Sequence, residues 1–128
     1  MFSLSKRFTF EAAHQLSHHE GNCRRLHGHS WVGWIEVRGK ELQASGPRTG
    51  MVMDYDDLAG AVKPLVEGFL DHHYLNDTLA TDSPTAEAIA RWLFDALRER
   101  SVPVTSVTID ETCTSRCVYE GPSPAAIP

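Results

Sequence analysis

Phe2, Leu4, Phe8 and Phe10 share one parity of a stretch whose other parity is Ser3, Ser5, Arg7 and Thr9. Alternation of this kind predicts a half-buried first strand, its apolar face interrupted at Lys6. His29 to Arg38, rich in Trp, Val and Ile, predicts a second strand. Gln43 to Gly50 is a turn cluster, and Met51-Val52-Met53 then resumes a short strand, giving a hairpin with a loose loop. From Asp54 the period changes. Leu58, Val62, Leu65, Val66 and Phe69 fall at helical spacing, with Asp54, Asp56 and Asp57 near the start, where the helix dipole favours acids. Pro64, inside that pattern, is expected to kink or divide the helix because it has no N–H to donate.

A second helix is cleaner. Ser83 and Pro84 offer an N-cap and a first-turn proline, Ala86, Ile89, Ala90, Leu93, Phe94 and Leu97 form the buried stripe, and Arg98 and Arg100 close the end that favours cations. Val104–Asp110 and Cys113–Glu120 read as closing strands. The tail 121–128, Gly-Pro-Ser-Pro-Ala-Ala-Ile-Pro, reads as flexible, which leaves residues 1–120 as one domain. Strands before and after a helical pair predict an α+β layer, a four-stranded antiparallel sheet with two helices on one face. So small a sheet has open edges that must be paired or covered, and pairing them with other subunits is the economical solution.

At 128 residues the chain suits one core, and 41% hydrophobic with 23% charged residues is ordinary for a globular domain. A net charge of -5 with no basic face excludes a nucleic-acid footprint. No apolar run approaches the roughly 20 residues of a membrane span. The N-terminus has no apolar signal core, and three cysteines, an odd count, fit a reducing cytoplasm better than a disulfide framework.

The chemistry concentrates at Cys23-Arg-Arg-Leu-His27-Gly-His29, with His14 thirteen residues before His27 in Phe10-Glu-Ala-Ala-His14. Two histidines one residue apart project from the same face of a strand, and the glycine between them would permit close approach of a metal or a second backbone. A third imidazole from a neighbouring strand end completes the three nitrogen ligands of a catalytic zinc site with one position open. Cys23, four residues before the pair, reads as a base beside the metal, its thiolate form favoured by the cationic neighbours Arg24 and Arg25, with a spectator thiol as the competing reading. His18, His19 and His73 fit exposed loops or helix ends, with a chelating His18-His19 pair as a competing reading. Cys113 and Cys117 suggest a second zinc pair, but in a strand they stand about 13 Å apart and read better as small buried hydrophobes. Asp71 beside His72 suggests an acid–base pair, or simply a helix-terminal cation. Glu87 fits a dipole complement, and Trp31, Trp34 and Trp92 fit core or interface positions. Glu111 extends the apolar face of Val107 and Ile109, where a carboxylate is either solvated or recognises a ligand.

Six segments in order, Phe10–His14, Cys23–His29, Gly50–Asp54, Leu70–Asn76, Ser83–Glu87 and Asp110–Thr112, resemble the 6-pyruvoyl-tetrahydropterin synthase/6-carboxytetrahydropterin synthase family. Three residues between the cysteine and His-Gly-His are similar to the bacterial carboxytetrahydropterin branch, which feeds deazapurine and queuosine synthesis. The resemblance implies a tunnelling fold: sheets join into a barrel, trimers pair into a homohexamer, and active sites lie between subunits. It implies Zn2+ on His14, His27 and His29, with Cys23, Asp71 and His72 as catalytic residues. Glu111 would hold the pterin, supported by Thr85 and Glu87. The implied reaction converts 7,8-dihydroneopterin triphosphate to 6-carboxy-5,6,7,8-tetrahydropterin, acetaldehyde and triphosphate. A pyruvoyl-type or aldolase-type outcome on the same pterin, or a non-catalytic zinc-binding oligomer, is the alternative. Pro64 and the doubled His72-His73 depart from the family pattern.

Overall fold

The computed structural model describes residues 1–124; residues 125–128, the end of the expected flexible tail, lie outside the described residues. Two long strands, β1 (Phe2–His14) and β2 (His27–Gly39), form the spine of the sheet. They pair antiparallel along their whole length, from Phe2 opposite Gly39 to His14 opposite His27. β4 (Ser106–Thr112) pairs antiparallel with β2, and β5 (Ser115–Glu120) with β4. Four antiparallel strands are therefore present, with one addition. The two-residue β3 (His73–Tyr74) lies parallel to β1 at Ala12 and Ala13, giving the order β3-β1-β2-β4-β5.

Parity decides which face is covered. Phe8, Phe10, Trp31, Ile35, Val107 and Ile109 all point one way and are buried in the same core as Leu58 and Val62 of α1 (Tyr55–Leu65) and Ile89, Leu93 and Leu97 of α3 (Ala86–Glu99). Both helices thus cover one sheet face, as an α+β layer requires. The aromatic residues stack along that face, Phe8 on Phe10 at 6.1 Å and Phe10 on Trp31 at 5.7 Å between ring centroids. Phe8 lies over Gly33 on the next strand, where a Cβ would come 2.1 Å from Phe8 Cζ. Gly33→Ala is therefore expected to cost about 1–3 kcal/mol by overpacking. A denaturant midpoint equal to the parent's would contradict that.

The structure corrects the sequence reading at several places. Met51–Met53 form no strand. Gln43 and Met51 bond to each other (Gln43 N–H to Met51 O, 2.9 Å), and Gly50 N–H returns to Gln43 O at 2.8 Å, so the loop closes on itself instead of pairing with β2. The cap of α3 is Thr85, whose Oγ1 accepts from Ala88 N–H at 3.2 Å, two residues beyond the expected Ser83. Pro64 does not break α1. The helix runs through it to Leu65 and then widens into a π-type turn over Val66–Leu70, closed by Asp71 N–H to Val66 O at 2.7 Å. The wider turn rotates the register, so Leu70 is buried where the uninterrupted helical period pointed to Phe69, which is 38% exposed. Cys113 stands exposed in the tight turn between β4 and β5, not in a buried strand position, while Cys117 on β5 packs against the core. At the start of the tail, Arg98 Nη2 donates to Pro122 O, and Gly121 lies against the Phe94 ring.

A short helix α2 (Leu75–Thr78) follows β3 directly and is pinned by the fully buried Leu75. Among the described residues, β1 has a strand partner on its outer edge only at Ala12 and Ala13, and β5 has none on its outer edge.

Candidate metal centre

The register places three histidines on one patch of the covered face. His14 ends β1 and His27 begins β2 directly opposite, while His29 is the next residue of the same parity. Their ring centroids lie 4.5 Å (His14–His27), 5.5 Å (His14–His29) and 5.9 Å (His27–His29) apart. One ligand atom from each lies within 4.8 Å of the other two. His14 is completely buried, and the fully buried Trp31 stacks against His29 at 4.2 Å.

Each ring is held by the nitrogen that faces away from the cluster. His14 Nδ1 lies 2.8 Å from Pro84 O, His27 Nδ1 2.7 Å from Arg25 O, and His29 Nδ1 2.9 Å from Ser30 O. A carbonyl oxygen only accepts, so each Nδ1 carries the proton and each Nε2 presents a lone pair. This is the outer-partner arrangement that orients a metal-binding imidazole. His14 Nε2 is buried and has no hydrogen-bond partner, which is costly for a polar atom unless something else satisfies it. A divalent cation shared by the three Nε2 atoms fits that requirement.

Burial pushes the His14 imidazole below its ordinary value of 6.5, opposed by the Pro84 carbonyl and reinforced by His27. The unfolded chain therefore takes up the proton first. Stability of the metal-stripped protein is expected to fall as pH drops through about 6.5, by at most about 1.4 kcal/mol per pH unit for this one group. Urea midpoints of chelator-treated protein from about pH 8 to about pH 5 would test this, and a flat profile would count against it.

Glu111 belongs to the same cluster. Its Oε1 lies 3.8 Å from His14 Nε2 and 4.0 Å from His29 Nε2, so the carboxylate ending the apolar face of β4 points at the imidazoles. Thr85 and Glu87 stand at the start of α3, one and three residues after the Pro84 carbonyl that holds His14. Cys23 sits half-buried in a 3-10 turn (Asn22–Arg24), and its carbonyl accepts from Leu16 N–H at 2.8 Å. Arg24 and Arg25 are exposed.

Asp71 and His72 form a pair of their own. Asp71 Oδ2 meets His72 Nδ1 at 2.9 Å, and Oδ1 accepts from Glu11 N–H at 2.9 Å. These bonds hold the Asp71 carboxyl below its usual range, the Glu11 amide most strongly. His72 takes a left-handed conformation (φ 59°) and donates its N–H to Glu11 O at 2.6 Å. Such a conformation is uncommon for a side chain of this size and is imposed by the β1 edge. No hydrogen bond joins this pair to Cys23 or to the three imidazoles among the described residues. His18 and His19 do not act together: His18 Nε2 contacts Asp82 at 3.0 Å, whereas His19 Nδ1 accepts from Gly21 N–H at 2.9 Å. Gly28 is not required for close approach at the cluster. Its missing side chain points to the opposite sheet face, where a Cβ would meet Ala12 and Ala13 at 3.5 Å and beyond. Sequence reading missed the backbone carbonyls, since a carbonyl carries no residue identity.

An α+β sheet with three imidazoles positioned to hold a metal ion at one end of its covered face defines the class. The chain belongs to the 6-pyruvoyl tetrahydropterin synthase family, whose model matches residues 3–122. It is 54% identical over 123 residues to a Synechocystis protein named 6-carboxy-5,6,7,8-tetrahydropterin synthase, covering 95% of each chain. A Haemophilus influenzae protein of the same name is 34% identical over 141 residues, covering 94% of this chain and 99% of that one. Among solved structures, Caenorhabditis elegans 6-pyruvoyl tetrahydropterin synthase superposes with a TM-score of 0.77 at 29% identity, over 94% of this chain and 96% of that one.

Proposed function

We propose that this chain is a zinc-dependent lyase that converts 7,8-dihydroneopterin triphosphate and one water to 6-carboxy-5,6,7,8-tetrahydropterin with release of acetaldehyde and triphosphate, in the cytoplasmic pathway to queuosine. The observation that carries the reading is the convergence of three Nε2 lone pairs, each fixed by a carbonyl behind it, in a chain 54% identical to a protein named for that product. Nitrogen donors in threes suit zinc with an open position, where the ion would acidify C–H and O–H bonds of the substrate side chain.

The protein's own groups supply the remaining steps. Cys23, as thiolate, takes a proton from the side chain. Asp71 holds the His72 imidazole through Nδ1, leaving Nε2 to relay protons. Glu111 accepts the two parallel N–H donors of the pterin's amino-pyrimidinone edge, with Thr85 and Glu87 as supporting contacts. Among the described residues Asp71–His72 and Cys23 share no hydrogen bond, and sites formed between subunits would let one chain's pair serve another's cysteine. The open edges of β1 and β5 support such an assembly, a hexamer of two trimers whose sheets close into a barrel.

Purified protein incubated with the triphosphate is expected to yield 6-carboxytetrahydropterin by mass spectrometry. Formation of pyruvoyltetrahydropterin or hydroxymethylpterin alone would reject the assignment.

A further inference from the structure

Asn76 ends the Leu70–Asn76 segment and has no part in the chemistry above. Parallel pairing of β3 with β1 runs through Ala12–His73 and Ala13–Tyr74 and then stops, because the chain turns into α2 at Leu75. The Asn76 side chain takes the place of the next rung. Its Nδ2 donates to Gln15 O at 2.7 Å and its Oδ1 accepts from Gln15 N–H at 2.9 Å, so one carboxamide satisfies both backbone groups of the residue that follows His14. Asn76 is itself fixed, since Leu75 is buried and Thr81 N–H bonds the Asn76 carbonyl at 3.1 Å. Gln15 passes the constraint on. Its Nε2 donates to Arg24 O at 2.9 Å, beside the Leu16 N–H bond to Cys23 O at 2.8 Å. Hydrogen bonds therefore lead from α2 through Gln15 to the Arg24 carbonyl, and the next residue, Leu16, holds the Cys23 carbonyl.

We propose that Asn76 is a positioning residue whose carboxamide, acting through Gln15, holds the loop bearing Cys23 in register with the His14 end of β1. An amide is needed because the site offers one acceptor and one donor. Alanine satisfies neither, and aspartate, of nearly the same shape, satisfies the N–H but sets a second acceptor against Gln15 O. His14 keeps its separate anchor on Pro84, so the metal cluster does not depend on the clamp. The proposal rests on the reading of Cys23 as the base, and its test includes a measurement independent of that reading.

The test compares parent, Asn76→Ala, Asn76→Asp and Gln15→Met. Turnover of the triphosphate is measured together with iodoacetamide labelling of Cys23, read by peptide mass spectrometry against the exposed turn residue Cys113 in the same molecule. Both Asn76 variants are expected to keep their metal, to lose on the order of 10- to 100-fold in kcat with KM little changed, and to label Cys23 several-fold faster relative to Cys113. Should the Asn76 variants fail to fold, Gln15→Met, which severs only the link to Arg24, is expected to move kcat and labelling in the same direction. A parental labelling ratio and kcat in Asn76→Asp would overturn the proposal, as would a lower melting temperature with both unchanged. If Cys23 proves not to be the base, the labelling ratio still reports whether Asn76 holds the loop.

Discussion

Cys23→Ala is expected to bind metal like the parent and to lose about 10²–10⁴-fold in turnover. The two halves of this expectation rest on different parts of the structure. Metal binding rests on His14, His27 and His29, whose rings are oriented by Pro84, Arg25 and Ser30, and the cysteine sulfur is not among the ligand atoms that converge. Truncating a half-buried loop side chain leaves those anchors in place. In the proposed reaction, turnover rests on the Cys23 thiolate as base. Metal content by elemental analysis and product formation by mass spectrometry separate the two. A Cys23→Ala protein with parental turnover would sink the proposed role of the thiol, and a parent that binds metal but forms no product would leave a non-catalytic zinc-binding oligomer.

His14→Ala is expected to act at the opposite end, abolishing stoichiometric metal binding and destabilising the fold together. The loss of an outer partner of a metal ligand already costs 10–100-fold in affinity, and removing the ligand itself is expected to exceed that. His14 is also the most buried of the three and lies against Trp31 at 5.0 Å, so its removal leaves a cavity in the core as well as an unpaired Pro84 carbonyl. Alanine at His27 or His29, both half-exposed, is expected to weaken metal binding with a smaller effect on folding. Metal titration with a competing chelator and thermal melts in chelator would check the contrast. Equal destabilisation by all three substitutions would show that burial of His14 is not what distinguishes it.

Much of this site was legible in the order of residues. The alternation of Phe8, Phe10 and His14, and of His27, His29 and Trp31, puts all three imidazoles on the apolar parity, because side chains alternate across a strand whatever the rest of the chain does. Val107, Ile109 and Glu111 follow the same rule, and Glu111 duly points into the cluster. Local periodicity failed where a competing interaction reset it: at Met51–Met53, where the loop bonded to itself, and at Phe69, where the π-type turn after Pro64 rotated the register.

Side-chain identity and its period along the chain thus specified which residues gather: three imidazoles and a carboxylate on one face, with a thiol in the loop between two strands. Folding specified how they are held. His14 depends on a carbonyl 70 residues away, the Cys23 loop on an amide 61 residues from Gln15, and His72 on a left-handed backbone imposed by Glu11. The Pro84 and Glu11 partners are backbone groups that every residue shares, and the Asn76 carboxamide meets backbone groups of Gln15, so nothing in the letters marks these pairings. They acquire an address only when distant segments pack together and each buried polar group must find its match.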